Sequence, residues 1–290
     1  MSHKTRFVAL IAAGALALPL VACSSTTTPA GTGGAQLKDC NVGISMPTRT
    51  LERWINDGAQ LQKALQGAGC TVDLQYADNK TDQQISQIQN QIAGGAKILV
   101  IAAIDGTTLG PVLDSAAKQS IKVIAYDRLI NGTPNVDYYA TFDNYKVGQL
   151  QGNFLKDQLK LDSASAPINF EPFAGSPDDN NAKFFFSGAW DVLLPYVTKG
   201  TLVVPSGKAP KSDAEWASIG IQGWDSAKAQ SEMDNRLSSF YTGGKKVQAV
   251  LSPNDSLAIG IEASLKGAGY KAGTDWPLIT GQDGDKANVK

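Results

Sequence analysis

The chain has 290 residues, with 26 basic and 27 acidic side chains and a formal net charge of −1 at pH 7. This length is enough for two compact domains, and the charge balance excludes the strongly basic surface that nucleic acid binding needs. The single histidine, His3, lies in an N-terminal targeting segment. Removal of this segment leaves no histidine, which excludes Ser-His-Asp and Cys-His catalysis and metal sites with imidazole ligands.

Residues 1–22 are predicted to be a lipoprotein signal peptide, because a basic start precedes an apolar stretch too short to span a membrane. The stretch ends in Leu-Val-Ala-Cys, which predicts that Cys23 becomes the first residue and carries lipid. The alternative is an ordinary signal peptide cut nearby. Residues 23–39, rich in Ser, Thr, Gly, Ala and Pro, are predicted to be a flexible tether. We expect an exported protein that the N-terminal lipid alone holds on the outer face of the cytoplasmic membrane.

Residues 40–142 are predicted to form a first α/β lobe, because short apolar runs alternate with amphipathic helical patterns. Glycine pairs such as Gly94-Gly95 end the helices. The predicted strands are 40–46, 71–76, 98–103, 122–127 and 138–142, and one of the intervening helices covers about 107–119.

Residues 143–290 are predicted to form a second α/β lobe, because the same pattern begins again. Its predicted helices are 144–160, 179–197, 225–240 and 254–266, and its strands are 168–174, 201–204, 247–251 and 278–280. Two such units in one chain predict two doubly wound, Rossmann-like lobes with a ligand cleft between them. Residues 285–290 are typical of the opening of a helix, which favours a missing C-terminal part over a disordered natural terminus.

Cys40 and Cys70 each open a predicted strand, and a helix joins the two strands. In a right-handed βαβ unit such strands run parallel and start at the same edge of the sheet. Thiols outside the cytoplasm oxidise. The sequence therefore predicts a Cys40–Cys70 disulfide, and the alternative is two buried free thiols.

No sequence motif indicates a cofactor or a metal ion. Gly67-Ala68-Gly69 and Gly267-Ala268-Gly269 follow helices instead of strands, so they are helix ends and not dinucleotide-binding loops. Adjacent acids at Asp178 and Asp179 could in principle do acid–base chemistry, but neighbours in one loop are poorly placed to flank a bond. We therefore predict that the protein is not an enzyme.

Polar side chains follow the predicted strands at their carboxyl ends, where open parallel sheets bind ligands. Asp127 and Arg128 come directly after an apolar run that is typical of an interior strand. The other polar and aromatic candidates at such ends are Arg53, Trp54, Asn144, Asn181, Trp224, Asn254 and Asp283. Carboxylates accept hydrogen bonds from hydroxyls, guanidinium groups donate them, and amides do both, while an indole packs on the apolar face of a pyranose. This combination predicts a sugar pocket.

Simpler interpretations exist for some of these residues. Asn254 and Asp143 could be helix N-caps alone, and an Asp-Arg neighbour pair could be a surface salt bridge. Trp224 could be a core residue. The convergence of arginines, acids, amides and indoles at strand ends favours the pocket, since independent caps do not require arginine or tryptophan.

The chain resembles the periplasmic monosaccharide-binding proteins, in particular their xylose-binding and multiple-sugar-binding branch. The resemblance covers about residues 40–290, and its motifs are Tyr126-Asp127-Arg128, Phe142-Asp143-Asn144, the loop 175–182, Ser252-Pro253-Asn254-Asp255 and Gly281-Gln282-Asp283. It implies a type I periplasmic binding protein fold. It also implies sugar contacts at Arg53, Trp54, Asp127, Arg128, Asn144, Asn181, Trp224, Asn254 and Asp283. Members continue for several dozen residues past the last motif, which agrees with a missing C-terminal part.

The resemblance further implies that the protein captures a monosaccharide of the xylose, glucose, galactose or arabinose class and delivers it to the membrane subunits of an ABC permease. Some members also report to chemosensory proteins. The alternative is therefore a sugar sensor that docks on a membrane receptor or a histidine kinase.

Overall fold

Strands and helices alternate along the chain in the computed structural model, which describes residues 39–289. The predicted signal peptide, Cys23 and nearly all of the predicted tether lie outside the described residues. The first sheet consists of β1 (Asn41–Met46), β2 (Thr71–Tyr76), β3 (Ile98–Ile101), β4 (Lys122–Tyr126) and β5 (Tyr138–Ala140). The helices between its first four strands are α1 (Glu52–Gly67), α2 (Thr81–Ala93) and α3 (Gly110–Lys118). The strand order is β2-β1-β3-β4-β5, and all pairs are parallel.

A second parallel sheet follows, in the order β7-β6-β8-β9. Its strands are β6 (Ile168–Pro172), β7 (Leu202–Val203), β8 (Ala249–Leu251) and β9 (Leu278–Ile279), and its helices are α4 (Asn144–Gln158), α5 (Asn180–Lys199), α6 (Ser226–Phe240) and α7 (Asp255–Gly267). The predicted α/β class is confirmed. Within residues 39–289, no helix combines the length and apolar character of a membrane span.

The interior strands are buried on both faces, which explains their nearly continuous apolar sequences. Val42 and Ile44 of β1 pack with one set of helices, whereas Leu99 and Ile101 of β3 belong to the core on the other face. Each of these side chains is fully buried. Burial of one such side chain contributes roughly 1.5–3 kcal/mol to folding, so the helix-covered sheet is the main source of stability.

Glycines let α4 and α5 approach closely. A Cβ atom at Gly148 would overlap the carbonyl of Phe185, and one at Gly188 would overlap the carbonyl of Tyr145. The two backbones therefore pack without intervening side chains. This contact brings the first turns of α4 and α5 side by side.

The structure joins Cys40 and Cys70 in a disulfide with a Cα–Cα separation of 4.6 Å. The two residues immediately precede β1 and β2, and the Thr71 amide donates to the Cys40 carbonyl at 2.8 Å. The parallel pairing that the sequence predicts for these strands thus brings the two cysteines together at the amino ends of the first sheet.

The structure differs from the sequence-based prediction in two ways. Residues 286–288 form one turn, in which the amides of Asn288 and Val289 donate to the Asp285 carbonyl, and no helix is present there among the described residues. The second difference is the presence of short 3-10 helices, which the sequence pattern does not predict. They cover Leu161–Ser163, Asp213–Ile219 and Gln222–Trp224.

Candidate ligand-binding site

The carboxyl ends of strands from both sheets meet at one cavity. Eight of the nine sequence-predicted binding residues line it: Arg53, Trp54, Asp127, Arg128, Asn181, Trp224, Asn254 and Asp283. The first four follow strands of the first sheet, and the last four follow strands of the second sheet or lie in its loops. The cavity therefore has two walls, one from each sheet, which we call the first wall and the second wall.

Arg53, in the first turn of α1, is one of the two arginines of the first wall, together with Arg128. Its Nη2 donates to the carboxylates of Asp57 at 2.8 Å and Asp127 at 2.9 Å, and its Nη1 lies 3.4 Å from Asp283 of the second wall. Burial by itself lowers the pKa of this guanidinium, but the three carboxylates outweigh that effect and raise it. Arg53 is therefore a permanent donor, and its guanidinium lies 4.2 Å from the Trp54 ring centre.

Asp127 is held in a left-handed backbone conformation, with φ of +61°, directly after β4. Its carbonyl accepts from the hydroxyls of Tyr139 and Thr141, each at 3.1 Å. Its carboxylate accepts from Arg53 and, at 3.2 Å, from Asn181 Nδ2 of the second wall. Aspartate tolerates this backbone region better than most residues do. The turn thus fixes the carboxylate between the two walls.

The side-chain amide of Asn254 both caps a helix and donates a hydrogen bond within the cavity. Its Oδ1 accepts from the Leu257 amide at 3.1 Å and so caps α7, while its Nδ2 donates to Asp283 at 3.2 Å. The capping role considered for this residue is therefore present together with a cavity-lining position. Asp143, the other residue considered as a cap, accepts from the Lys146 amide and is exposed outside the cavity.

Asp283 lines the cavity, and the pKa of its carboxyl is raised to about 6. Burial is the largest cause, since it disfavours the charged form. Arg53 and the Asn254 amide oppose the rise, whereas Asp127 and Asp285 add to it. Asp283 is therefore a carboxyl that changes its charge near pH 6.

One predicted contact lies outside the cavity lining, and another has a second role. Asn144, predicted as a ligand contact, does not line the cavity: it lies behind the second wall and donates from Nδ2 to Asn181 Oδ1 at 3.0 Å. This follows from the close packing of α4 and α5. Trp224 has both of the roles considered for it, as a ligand contact and as a core residue. It lines the cavity and is buried against Phe185, with ring centres 6.4 Å apart.

Four further residues line the cavity that were not predicted as contacts: Leu51, Asp179, Phe185 and Gln282. Phe185 lies one helical turn after Asn181 on α5, so helical spacing alone could have identified it. Asp179 caps α5 through its Oδ1, which accepts from the Asn181 amide at 2.9 Å. Burial raises the pKa of the Asp179 carboxyl, and Arg128 opposes this. Within residues 39–289, no cluster of three or more His, Cys, Asp or Glu side chains could hold a metal ion.

A family model described as a periplasmic binding protein domain matches residues 42–290. The chain is 54% identical, over 86% of its length and 69% of the relative, to the multiple sugar-binding periplasmic receptor ChvE of Rhizobium radiobacter. It is 35% identical, over 88% of its length and 70% of the relative, to the D-xylose-binding periplasmic protein of Escherichia coli. An ABC transporter solute-binding protein from Clostridium phytofermentans, solved with bound β-D-glucose, is 50% identical with a TM-score of 0.81, over 86% of this chain and 74% of that one.

Proposed function

Because the chain belongs to the periplasmic binding protein family, we propose that it captures a monosaccharide in the cavity between its two sheets and delivers it to an ABC permease. The sugar is of the xylose, glucose, galactose or arabinose class. The observation that carries this proposal is the meeting of charged, amide and indole groups from both sheets at one cavity. Relatives named for xylose and for multiple sugars, and a similar structure with bound glucose, support the choice of ligand.

The proposed contacts divide by chemistry. Arg53 and Arg128 donate to sugar oxygens, Asp127 and Asp283 accept from hydroxyls, and each charged hydrogen bond is worth roughly 1.5–3 kcal/mol. The amides of Asn181 and Asn254 can do both, and the indoles of Trp54 and Trp224 pack on the C–H faces of the ring. An analogue that lacks a hydroxyl leaves a buried partner unmatched, which gives selectivity among sugars.

Binding closes the two walls over the ligand. We propose that residues 40–142 and 143–290 are the two lobes, with the connection between β5 and α4 as a hinge. A sugar that contacts both walls stabilises the closed arrangement, so closure is a shift of population driven by the ligand. The closed surface is then presented to the permease.

The family is extracytoplasmic, so the protein is exported. We propose that the lipid on Cys23 anchors it to the outer face of the cytoplasmic membrane. We also propose that binding breaks no bond in the sugar. In support, Asp178 is engaged by Ser176 and Gln222, while the neighbouring Asp179 is buried against Arg128, so the two acids do not form an acid–base pair around a substrate.

Titration calorimetry with D-xylose, D-glucose, D-galactose and L-arabinose tests the proposal. We expect saturable binding of at least one sugar with a stoichiometry of one, and recovery of that sugar unaltered after incubation. Arg53→Met should weaken this binding, whereas Lys122→Met, which removes an exposed cation far from the cavity, should not. The absence of binding to all four sugars, or chemical change in the recovered sugar, would contradict the proposal.

A further inference from the structure

We infer that Asp179 is a positioning residue. It holds Arg128 of the first wall and Trp224 of the second wall in place, and it acts on sugar binding through these two side chains. The inference rests on the proposed function for its effect on affinity. Its structural basis, which is one carboxylate shared by an arginine and an indole, can be tested without any sugar.

The Asp179 carboxylate is engaged by two hydrogen bonds and one ion pair from the protein. Its Oδ1 accepts from the Asn181 amide at 2.9 Å, and its Oδ2 accepts from Trp224 Nε1 at 3.1 Å and lies 2.9 Å from Arg128 Nε. A carboxylate has about four acceptor positions. Two are therefore taken by hydrogen bonds from the protein, and the ion pair with Arg128 lies against Oδ2, which leaves Asp179 poorly suited to be a main sugar contact despite its place in the lining.

The pair with Arg128 joins the two walls. Arg128 follows β4 of the first sheet, whereas Asp179 caps α5 of the second. The side chains are only 6% and 3% exposed, so separating them leaves two desolvated charges unpaired, which is costly. Arg128 Nη1 also donates to the Ala103 carbonyl at 3.1 Å, which fixes the guanidinium from the first wall as well.

Asp179 also fixes the plane of the Trp224 ring. One side of that ring lies so close to Gly175 that a Cβ atom there would overlap it, and its edge packs on Phe185. The hydrogen bond from Nε1 to Asp179 sets the remaining rotation of the indole. The ring that we propose to pack on the sugar is thus positioned by the same carboxylate that holds Arg128.

Asp179→Asn should therefore weaken the binding of every sugar that the protein binds by about tenfold or more. The substitution removes the charge that pairs with Arg128 and weakens the hydrogen bond from Trp224, so both side chains lose the partner that positions them. The order of preference among the sugars should stay unchanged. Asp225→Asn is the matched control, because Asp225 also caps a helix, α6, by accepting from the Lys228 amide at 3.0 Å but does not line the cavity. Its affinities should equal those of the unmodified protein.

The indole N–H of Trp224 gives a readout that does not depend on sugar. Its nitrogen–proton NMR resonance can be assigned by its disappearance in Trp224→Phe. We expect Asp179→Asn to move this resonance and Asp225→Asn to leave it in place. We also expect Arg128→Gln to move it, because both groups share one carboxylate oxygen; this variant provides the test if Asp179→Asn does not fold.

A double-mutant cycle separates positioning from a general loss of structure. In the Arg128→Gln background, Asp179→Asn should cost much less affinity than in the unmodified protein, since most of its effect acts through Arg128. An unmoved Trp224 resonance in both single variants, or fully additive losses, would overturn the inference. If the unmodified protein binds no sugar but the resonance moves as expected, the proposed function fails while the positioning role stands.

Discussion

Arg53 and Asp283, which are 230 positions apart in the chain, meet in the cavity with Nη1 3.4 Å from Oδ1. This contact links the first turn of α1 to the loop after β9, and so it links the two walls. The Arg53 guanidinium remains charged at all ordinary pH values, but the pKa of the Asp283 carboxyl is about 6. The charge of this cross-wall contact therefore depends on pH.

Sugar affinity should fall as the pH drops from 7.5 to 5. Asp283 can accept a hydrogen bond from a sugar hydroxyl fully only when ionised, and at pH 5 about one tenth of it is ionised if its pKa is about 6. The expected loss is thus up to about tenfold. For the unliganded protein the sign is opposite: a carboxyl whose pKa is raised above 3.8 contributes stability that is lost as the pH rises through 6.

Calorimetry between pH 5 and 7.5 checks this expectation. Asp283→Asn should bind more weakly, and its affinity should vary less over this range than that of the unmodified protein. The control Asp275→Asn removes a partly buried acid paired with Lys246 outside the cavity lining, and its pH profile should match that of the unmodified protein. A profile that is equally steep with and without Asp283 would assign the titration to another group.

Asp127→Asn should reduce sugar affinity by at least tenfold, about 1.5–3 kcal/mol, because one charge-assisted hydrogen bond is weakened. Asparagine tolerates the left-handed φ of +61° at this position, so the backbone turn should persist. Asp127→Ala should lose as much or more. Asp137→Asn, which removes an exposed acid paired with Lys122, is the control and should bind normally. Unchanged affinity in Asp127→Asn by calorimetry would count heavily against Asp127 as a contact.

Gly175→Ala tests the tight fit of the Trp224 ring. An added methyl group overlaps the ring, so the indole must shift and the affinity for sugar should drop several-fold or more. Gly110→Ala is a matched control, since a Cβ atom at Gly110 meets no atom within 4 Å. Calorimetry and the quenching of tryptophan fluorescence by sugar both report the change. Equal affinities in the two variants would show that Trp224 is not constrained from this side.

The sequence predicted the positions of the site well because one rule of parallel sheets applies to both halves of the chain. Residues after β1, β4, β6, β8 and β9 all lie at carboxyl ends, so candidates such as Asp127 and Asn254 were expected to meet. That rule fixes the edge of the sheet at which a residue lies. It does not fix whether the side chain reaches the cavity or supports it from behind.

The residues whose roles were not predicted show this limit. Asn144 is the first residue of α4 and Asn181 the second residue of α5, but the close packing of α4 and α5 leaves Asn144 behind Asn181. Of the neighbours Asp178 and Asp179, only Asp179 occupies the cap position of α5, which turns its carboxylate towards Arg128. Such choices depend on the packing between elements that are distant in sequence, so spacing along the chain does not reveal them.

Reduction of the Cys40–Cys70 disulfide should lower the free energy of unfolding by roughly 3–4 kcal/mol, because the loop that it closes spans 30 residues. Urea unfolding with and without reductant measures this, and the thiol count of the denatured protein should rise by two on reduction. The double variant Cys40→Ser/Cys70→Ser should not respond to reductant. Sugar affinity should be unchanged, since the disulfide lies at the amino ends of the first sheet and the cavity at the carboxyl ends. A constant thiol count would show that the two cysteines are free, and reduced affinity at full stability would show that the two edges of the sheet are coupled.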